Sequence, residues 1–224
     1  MSKFRIGIVG FGTVGSGIYK ILKSRDDVHP ILREIEIVKI AVQDIHKKRE
    51  ITVEDNLLID DPNKLINDPS IDVIVEVMGG VDVAKNIILK SLKAGKSVVT
   101  ANKAVIARHG SEIYSTAAKE GVYVLSEAAV CGGIPIIEPL KRSLKSNHIK
   151  KMLGIINGTT NFILSKMTNE KADYKDTLKL AQKLGYAEFD PTADVEGHDA
   201  ADKILILRVK LTYRYLSRLV KIGR

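Results

Sequence analysis

Along the first 130 residues, short apolar runs alternate with stretches whose apolar positions recur every three or four residues. Phe4–Val9 (FRIGIV), Ile35–Val42, Ile71–Val77, Ser97–Val99 and Val122–Leu125 are compact runs rich in β-branched residues, the mark of buried strands. Between them, Val14, Ile18, Ile21 and Leu22 repeat at i, i+4, i+7 and i+8, one face of a helix. Val83–Leu92 and Glu112–Lys119 carry further helical patterns. Alternating strands and helices predict an α/β fold with a mostly parallel, doubly wound sheet. In the second half, Pro135 suits the first turn of a helix through Ile136, Ile137 and Leu140. Ile149–Ile156 reads as a new strand, followed by a polar turn, Asn157 to Asn161, and a helix through Phe162, Ile163 and Leu164. Tyr174–Leu184 reads as an amphipathic helix closed by Gly185, and another helix starts at His198. These elements predict a second, α+β domain.

The first strand runs directly into Gly10-Phe11-Gly12-Thr13-Val14-Gly15, a G-x-G-x-x-G at a strand-to-helix junction. Gly10 would make the tight turn, Gly12 would admit a pyrophosphate close to the backbone, and Gly15 would let helix pack on strand. The free N–H groups and positive dipole end of the helix would face the phosphates. This context points to a Rossmann-like dinucleotide site, though a purely structural glycine turn has the same spelling. After the second strand come Gln43, Asp44 and then Lys47, Lys48 and Arg49. Asp44 would favour a ribose hydroxyl and the basic run a 2′-phosphate; a solvated turn of mixed charge fits the lysines equally. Met78-Gly79-Gly80 and Thr100-Ala101-Asn102-Lys103 both follow strand ends, where open α/β sheets bind ligands. A strand-end lysine such as Lys103 is often simply solvated.

The stretch from Leu184 to Lys203 holds Glu188, Asp190, Asp194, Glu196, Asp199 and Asp202 ahead of one lysine, Lys203. Tyr186, Phe189, Pro191 and Gly197 are unusual in a merely solvated acidic loop. Asp199 and Lys203 stand four apart and share a helical face. A carboxylate beside an ammonium, with further carboxylates from a loop, can bind an amino acid and move a proton. An ordinary surface ion pair has the same spacing.

Charge narrows the partners. The 224 residues carry a net +8, but six of those charges lie between Arg208 and Arg224, where there is no acid. The remainder is close to neutral, so neither nucleic acid nor a membrane surface is expected as partner. Cys131 is the single cysteine, which excludes an internal disulfide and a cysteine-based metal site. The N-terminus lacks a signal-peptide pattern and no apolar run is long enough to span a bilayer, so a cytoplasmic protein is expected.

The glycine motif, Met78-Gly79-Gly80, Thr100 to Lys103, Glu127 to Pro135, Gly154 to Asn161, and Leu184 to Lys203 together resemble the homoserine dehydrogenase family, in the family's order across residues 4–207. The resemblance implies NAD- or NADP-dependent interconversion of L-aspartate 4-semialdehyde and L-homoserine, on the route to threonine, methionine and isoleucine. It implies a cofactor site at Gly10, Phe11, Gly12, Thr13, Val14, Gly15, Gly79, Thr100 and Lys103. Glu188 would bind the substrate's α-ammonium, with Asp194, Lys103, Gly158, Thr159 and Tyr186 completing the substrate site. Lys203 would donate the proton, with Asp199 orienting it. A monovalent cation such as Na⁺ would sit on oxygens of Glu127, Val130, Gly132 and Ile134. The expected organisation is a nucleotide domain (1–135), an incomplete substrate and dimerisation domain (136–207), and an atypical basic tail (208–224). The family forms homodimers. The match ends near Leu207 and the tail reads as a truncated or frame-shifted product, which leaves dimer formation open here. Competing readings are a remnant that only binds dinucleotide and a related dehydrogenase for another amino-acid aldehyde or keto acid.

Overall fold

The computed structural model describes residues 3–24, 29–54, 56–144 and 146–211. The chain divides into two compact units, residues 1–133 and 134–224.

The first unit is built on six parallel strands: β1 (Phe4–Val9), β2 (Ile35–Ala41), β3 (Leu58–Ile59), β4 (Val73–Glu76), β5 (Ser97–Thr100) and β6 (Val124–Leu125). Their order is β3-β2-β1-β4-β5-β6, so the winding reverses between β1 and β4. A doubly wound sheet opens its ligand crevice at the carboxyl ends of the strands at that switch point. Helices α1 (Thr13–Ser24), α2 (Pro62–Ile66), α3 (Asp82–Lys93) and α4 (Lys103–Glu120) connect the strands. The central strands are apolar without alternation because parallel sheets bury both faces. Ile8, Ile40, Ile74 and Val98 are fully buried, as are Ile88 and Leu92 of α3 and Ile106 and Ile113 of α4.

Local signals explain where elements begin. Asp61 caps α2 by accepting from the Asn63 N–H at 2.8 Å, and Pro62 opens the helix. Asn102 caps α4, its Oδ1 accepting from the Val105 N–H at 3.2 Å, so this helix starts nine residues before the expected Glu112. Polar and small residues such as Arg108, His109 and Gly110 blur the periodicity of that first half. Lys96 is buried, and its Nζ donates to the carbonyls of Asp68 (2.5 Å) and Ile71 (2.7 Å), which holds the loop entering β4. Burial pushes its pKa below the usual lysine value.

The second unit carries α5 (Ile137–Lys141), α6 (Gly158–Glu170), α7 (Tyr174–Lys183), α8 (Thr192–Val195) and α9 (His198–Leu211). Ile163, Ala181 and Ala187 form one hydrophobic cluster of this unit, with Phe162, Met167, Leu178 and Val195 packed around them, and Ile137 and Leu140 of α5 and Ile206 and Leu207 of α9 are buried as well. Pro135 lies just ahead of α5 rather than within it. Helix α7 ends as expected: Gly185 takes φ +79°, and the Tyr186 N–H returns to the Ala181 carbonyl at 2.9 Å.

One expectation is corrected. Residues 149–156 form no strand, and Met152, Leu153 and Ile155 are exposed. A strand needs a neighbour for its backbone N–H and C=O groups, and the described residues of this unit include no other strand. The apolar pattern was there, but the pairing was not. Helix α9 runs past Leu207 to Leu211; the rest of the basic tail, residues 212–224, lies outside the described residues. Among the described residues no helix is long and apolar enough to cross a membrane.

Candidate functional site

In the first unit, the glycine turn after β1 has distinct steric demands at each position. Gly10 has φ +103°, and a Cβ there would lie 2.6 Å from the Met78 backbone. A Cβ on Gly15 would lie 2.3 Å from the Gly10 carbonyl oxygen, so the start of α1 can close on the turn only without one. A Cβ on Gly12 would meet nothing within 4 Å. The protein itself therefore does not require glycine at position 12, and the space above it is open.

This turn borders a cleft of about 1010 Å³. Gly10, Phe11, Gly12 and Thr13 line one side; Gln43, Asp44, Lys47, Lys48 and Arg49 line the other. Val14 and Gly15 do not line it, Val14 being surface-exposed and Gly15 buried beneath the turn. Asp44 accepts from the His46 N–H at 2.8 Å. The Arg49 guanidinium donates to the carbonyls of Asp44 (2.5 Å), Lys47 (2.8 Å) and Ile45 (3.2 Å). Arg49 thus shapes the loop, while Lys47 and Lys48 present exposed ammonium groups along the rim.

Further along the carboxyl edge, Gly79 and Gly80 take φ +82° and +74° and are exposed. Thr100 is fully buried and donates its hydroxyl proton to Glu76 Oε2 at 2.6 Å. Lys103 opens α4 and is half-buried. Glu76, also fully buried, carries no site signal in the sequence, where it is one of two acids in an otherwise apolar run.

In the second unit, Lys203 and Asp199 meet on α9. Lys203 Nζ is 2.7 Å from Asp199 Oδ2 and donates to the Ile156 carbonyl at 2.5 Å. Their side chains are 20% and 10% exposed, which removes the pair from the class of solvated surface ion pairs. Asn157 links this pair to the acidic loop. Its Nδ2 donates to Asp199 Oδ2 (2.9 Å) and to Asp194 Oδ1 (2.7 Å), while its Oδ1 caps α6 by accepting from the Thr160 N–H (2.8 Å). Thr159 Oγ1 lies 2.8 Å from Asp194 Oδ2 and 2.6 Å from the Tyr186 carbonyl. Asp194, Thr159, Asn157, Asp199 and Lys203 are therefore one connected polar cluster. The sequence places Asn157 in a polar turn and in the Gly154 to Asn161 motif but gives it no site role of its own; its signal is the Asn-Gly-Thr-Thr start of a helix, which a cap shares with many other proteins.

The other expected substrate residues are distributed differently. Tyr186 stacks on Phe162 with ring centroids 4.7 Å apart. Gly158 opens α6. The Glu188 side chain is exposed and outside the cluster, while its carbonyl accepts from Gln182 Nε2 at 3.2 Å. Asp190 turns onto its own loop, where hydrogen bonds from the Thr192 hydroxyl and N–H hold its carboxyl below the ordinary aspartate range. Glu127 starts a 3₁₀ turn whose carbonyl accepts from the Val130 N–H, and Cys131 and Gly132 follow with φ +60° and +56°. Ile134 is exposed. Among the described residues no group of three or more His, Cys, Asp and Glu side chains could hold a metal.

Comparison with known proteins matches each unit. Residues 10–127 match the family model described as homoserine dehydrogenase, NAD binding domain, and residues 135–220 the model described as homoserine dehydrogenase. The second match runs past Leu207, where the sequence reading ended its resemblance. Homoserine dehydrogenase of Synechocystis is 52% identical over 203 residues, 91% of this chain and 47% of that protein; the Bacillus subtilis protein is 47% identical over 209 residues, 92% and 48%. A crystal structure of Staphylococcus aureus homoserine dehydrogenase at pH 6.0 superposes with a TM-score of 0.82 at 42% identity, covering 97% of this chain and 55% of that one. A hyperthermophilic archaeal homoserine dehydrogenase in complex with NADPH gives 0.76 at 27% identity, covering 93% and 69%. The chain spans about half the length of the curated relatives it matches. With a parallel α/β nucleotide unit followed by a unit that matches the family's own model, this chain belongs to the homoserine dehydrogenase family.

Proposed function

We propose that this chain interconverts L-aspartate 4-semialdehyde and L-homoserine with a nicotinamide dinucleotide, as the names of its relatives suggest. The observation that supports the reading furthest is Lys203, an ammonium kept from bulk water between Asp199 and the Ile156 carbonyl. The cofactor fits the residues present: the open space over Gly12, the free N–H groups of α1 and the adjoining cleft suit a pyrophosphate and an adenosine half. Asp44 would take a ribose hydroxyl, and Lys47 and Lys48 a 2′-phosphate, so both nucleotides remain within the reading. The cation would sit on backbone oxygens of Glu127, Val130, Gly132 and Ile134, donors suited to a hard ion.

When bound, the reduced nicotinamide supplies the hydride. The chain must orient the aldehyde and provide one proton. Lys203 commits two of its N–H groups to Asp199 and Ile156 and keeps a third for the substrate. As the hydride adds to the carbonyl carbon, that proton passes to the carbonyl oxygen, giving the primary alcohol, and solvent reprotonates the amine. Asp199 orients the ammonium, and Asn157 donates to the same Asp199 oxygen, Oδ2, which holds that carboxylate in place. The exposed Glu188 carboxylate would pair with the substrate's α-ammonium. Lys203→Met should lower turnover of aspartate semialdehyde by about 10² to 10⁴-fold, the range for general acid catalysis, while reduced dinucleotide still binds. Turnover within tenfold of the parent would overturn the assignment, as would parent protein that binds dinucleotide without turning over the aldehyde.

A further inference from the structure

Glu76 is a fully buried carboxylate at the carboxyl end of β4 that the proposed chemistry does not use. A buried charge is costly unless its oxygens are hydrogen-bonded, and an apolar residue of similar size would fill the space without that cost. Both oxygens are engaged, each by a different turn. Oε1 accepts from the Met78 N–H at 3.0 Å, and Oε2 accepts the Thr100 hydroxyl at 2.6 Å. The Thr100 oxygen in turn accepts from the Asn102 N–H at 3.0 Å, and Asn102 Nδ2 donates to the Gly80 carbonyl at 2.8 Å. The contacts close a ring that ties the Met78–Gly80 turn to the Thr100–Asn102 turn. Gly79 and Gly80 both have positive φ, and a Cβ on either would meet nothing within 4 Å, so the ring holds a turn with open space above it.

In a doubly wound sheet the turn after β1 takes the pyrophosphate and the end of β2 takes one ribose. The other nucleotide half then lies over the ends of β4 and β5, where this ring sits. We infer that Glu76 is a positioning residue for the nicotinamide half of the dinucleotide, acting through the Met78–Gly80 and Thr100–Asn102 turns; the inference rests on the dinucleotide reading above. Its two acceptor oxygens are what the position requires. In Glu76→Gln one acceptor becomes a donor, so either the Met78 N–H or the Thr100 hydroxyl loses its partner.

The test is calorimetric binding to the full chain of reduced dinucleotide, NADH or NADPH, and of ADP-ribose with the matching 2′-substituent, which lacks nicotinamide. Glu76→Gln should weaken the reduced dinucleotide by about tenfold or more, the loss expected for a charge-assisted hydrogen bond, and ADP-ribose by no more than about twofold. Thr100→Val, which removes both the donor to Glu76 and the acceptor of the Asn102 N–H, should show a loss with the same selectivity. Glu76→Gln that binds both ligands like the parent overturns the inference, and so does a parallel loss of both, which marks a purely structural carboxylate. Should Glu76→Gln give no cooperative melt, Thr100→Val decides: selective loss supports the role, and none overturns it. Parent protein that binds neither ligand refutes the dinucleotide reading and this inference with it, a failure seen without any substitution.

Discussion

Gly10, Gly12 and Gly15 lie within six residues, yet a Cβ would strike the Met78 backbone at Gly10, the Gly10 carbonyl oxygen at Gly15 and nothing at Gly12. Gly15 is required by the protein, because its missing Cβ would sit 2.3 Å from a backbone oxygen. Gly15→Ala should therefore cost about 2 kcal/mol or more of stability, as for an overpacked core site, read as a lowered melting temperature. Gly12→Ala has nothing to strike in the protein. It should melt within about 0.5 kcal/mol of the parent, as for a surface change. Its dinucleotide affinity should nevertheless fall by about tenfold or more, because the Cβ occupies the space the pyrophosphate needs. Equal dinucleotide affinity in Gly12→Ala would argue against pyrophosphate at this turn. Asn157 separates capping from bridging in the same way. Aspartate caps a helix about as well as asparagine, so a residue that only caps α6 would tolerate Asn157→Asp, whereas Asn157→Ala would cost about 1 kcal/mol. If the amide bridges Asp194 and Asp199, Asn157→Asp sets a third carboxylate between them and should destabilise the protein more than Asn157→Ala. Thermal melts of the two variants give the answer. The glycine motif and the Asp199–Lys203 spacing were legible in the sequence because each is written within a few consecutive residues. Glu76 and Asn157 were not, because each owes its role to partners up to 24 and 42 residues away.

At the scale of elements, apolar runs located β1, β2, β4 and β5 well because buried parallel strands are apolar on both faces. The same pattern misled at residues 149–156. There the chain has apolar residues without a strand partner, and the backbone polar groups are not in a ladder. Amide hydrogens of residues 152–155 should accordingly exchange with solvent on the order of a thousandfold or more faster than those of Ile74 and Val75 in β4. Slow exchange across residues 152–155 would mean that this stretch is paired in solution. Helix α4 shows the opposite failure: its capped first half has too weak an apolar period to read, and the Asn102 cap supplies what periodicity lacks.

For the whole molecule, surface chemistry gives the expectation that can be tested most directly. Leu153 and Ile155 are 81% and 76% exposed, and Phe189 is almost entirely so. Apolar side chains presented in such number favour association. The protein should therefore sediment with rising apparent mass from micromolar to hundred-micromolar concentration, and Leu153→Lys combined with Ile155→Lys should shift it toward the monomer. A parent that stays monomeric throughout, or a double variant that associates unchanged, would locate the sticky surface elsewhere or nowhere. The net +8 does not bear on this region, since the excess charge is concentrated after Leu207.

The sequence by itself settled what local rules govern: an apolar strand period, a glycine turn whose spacing serves one backbone path, and an i,i+4 pair that any helix brings together. Only the tertiary structure decided what rests on distant partners. It withdrew Lys203 and Asp199 from solvent, joined them through Asn157 to Asp194, and buried Glu76 between two turns, because hydrogen bonds and burial depend on what folding brings close rather than on what the chain places next in line.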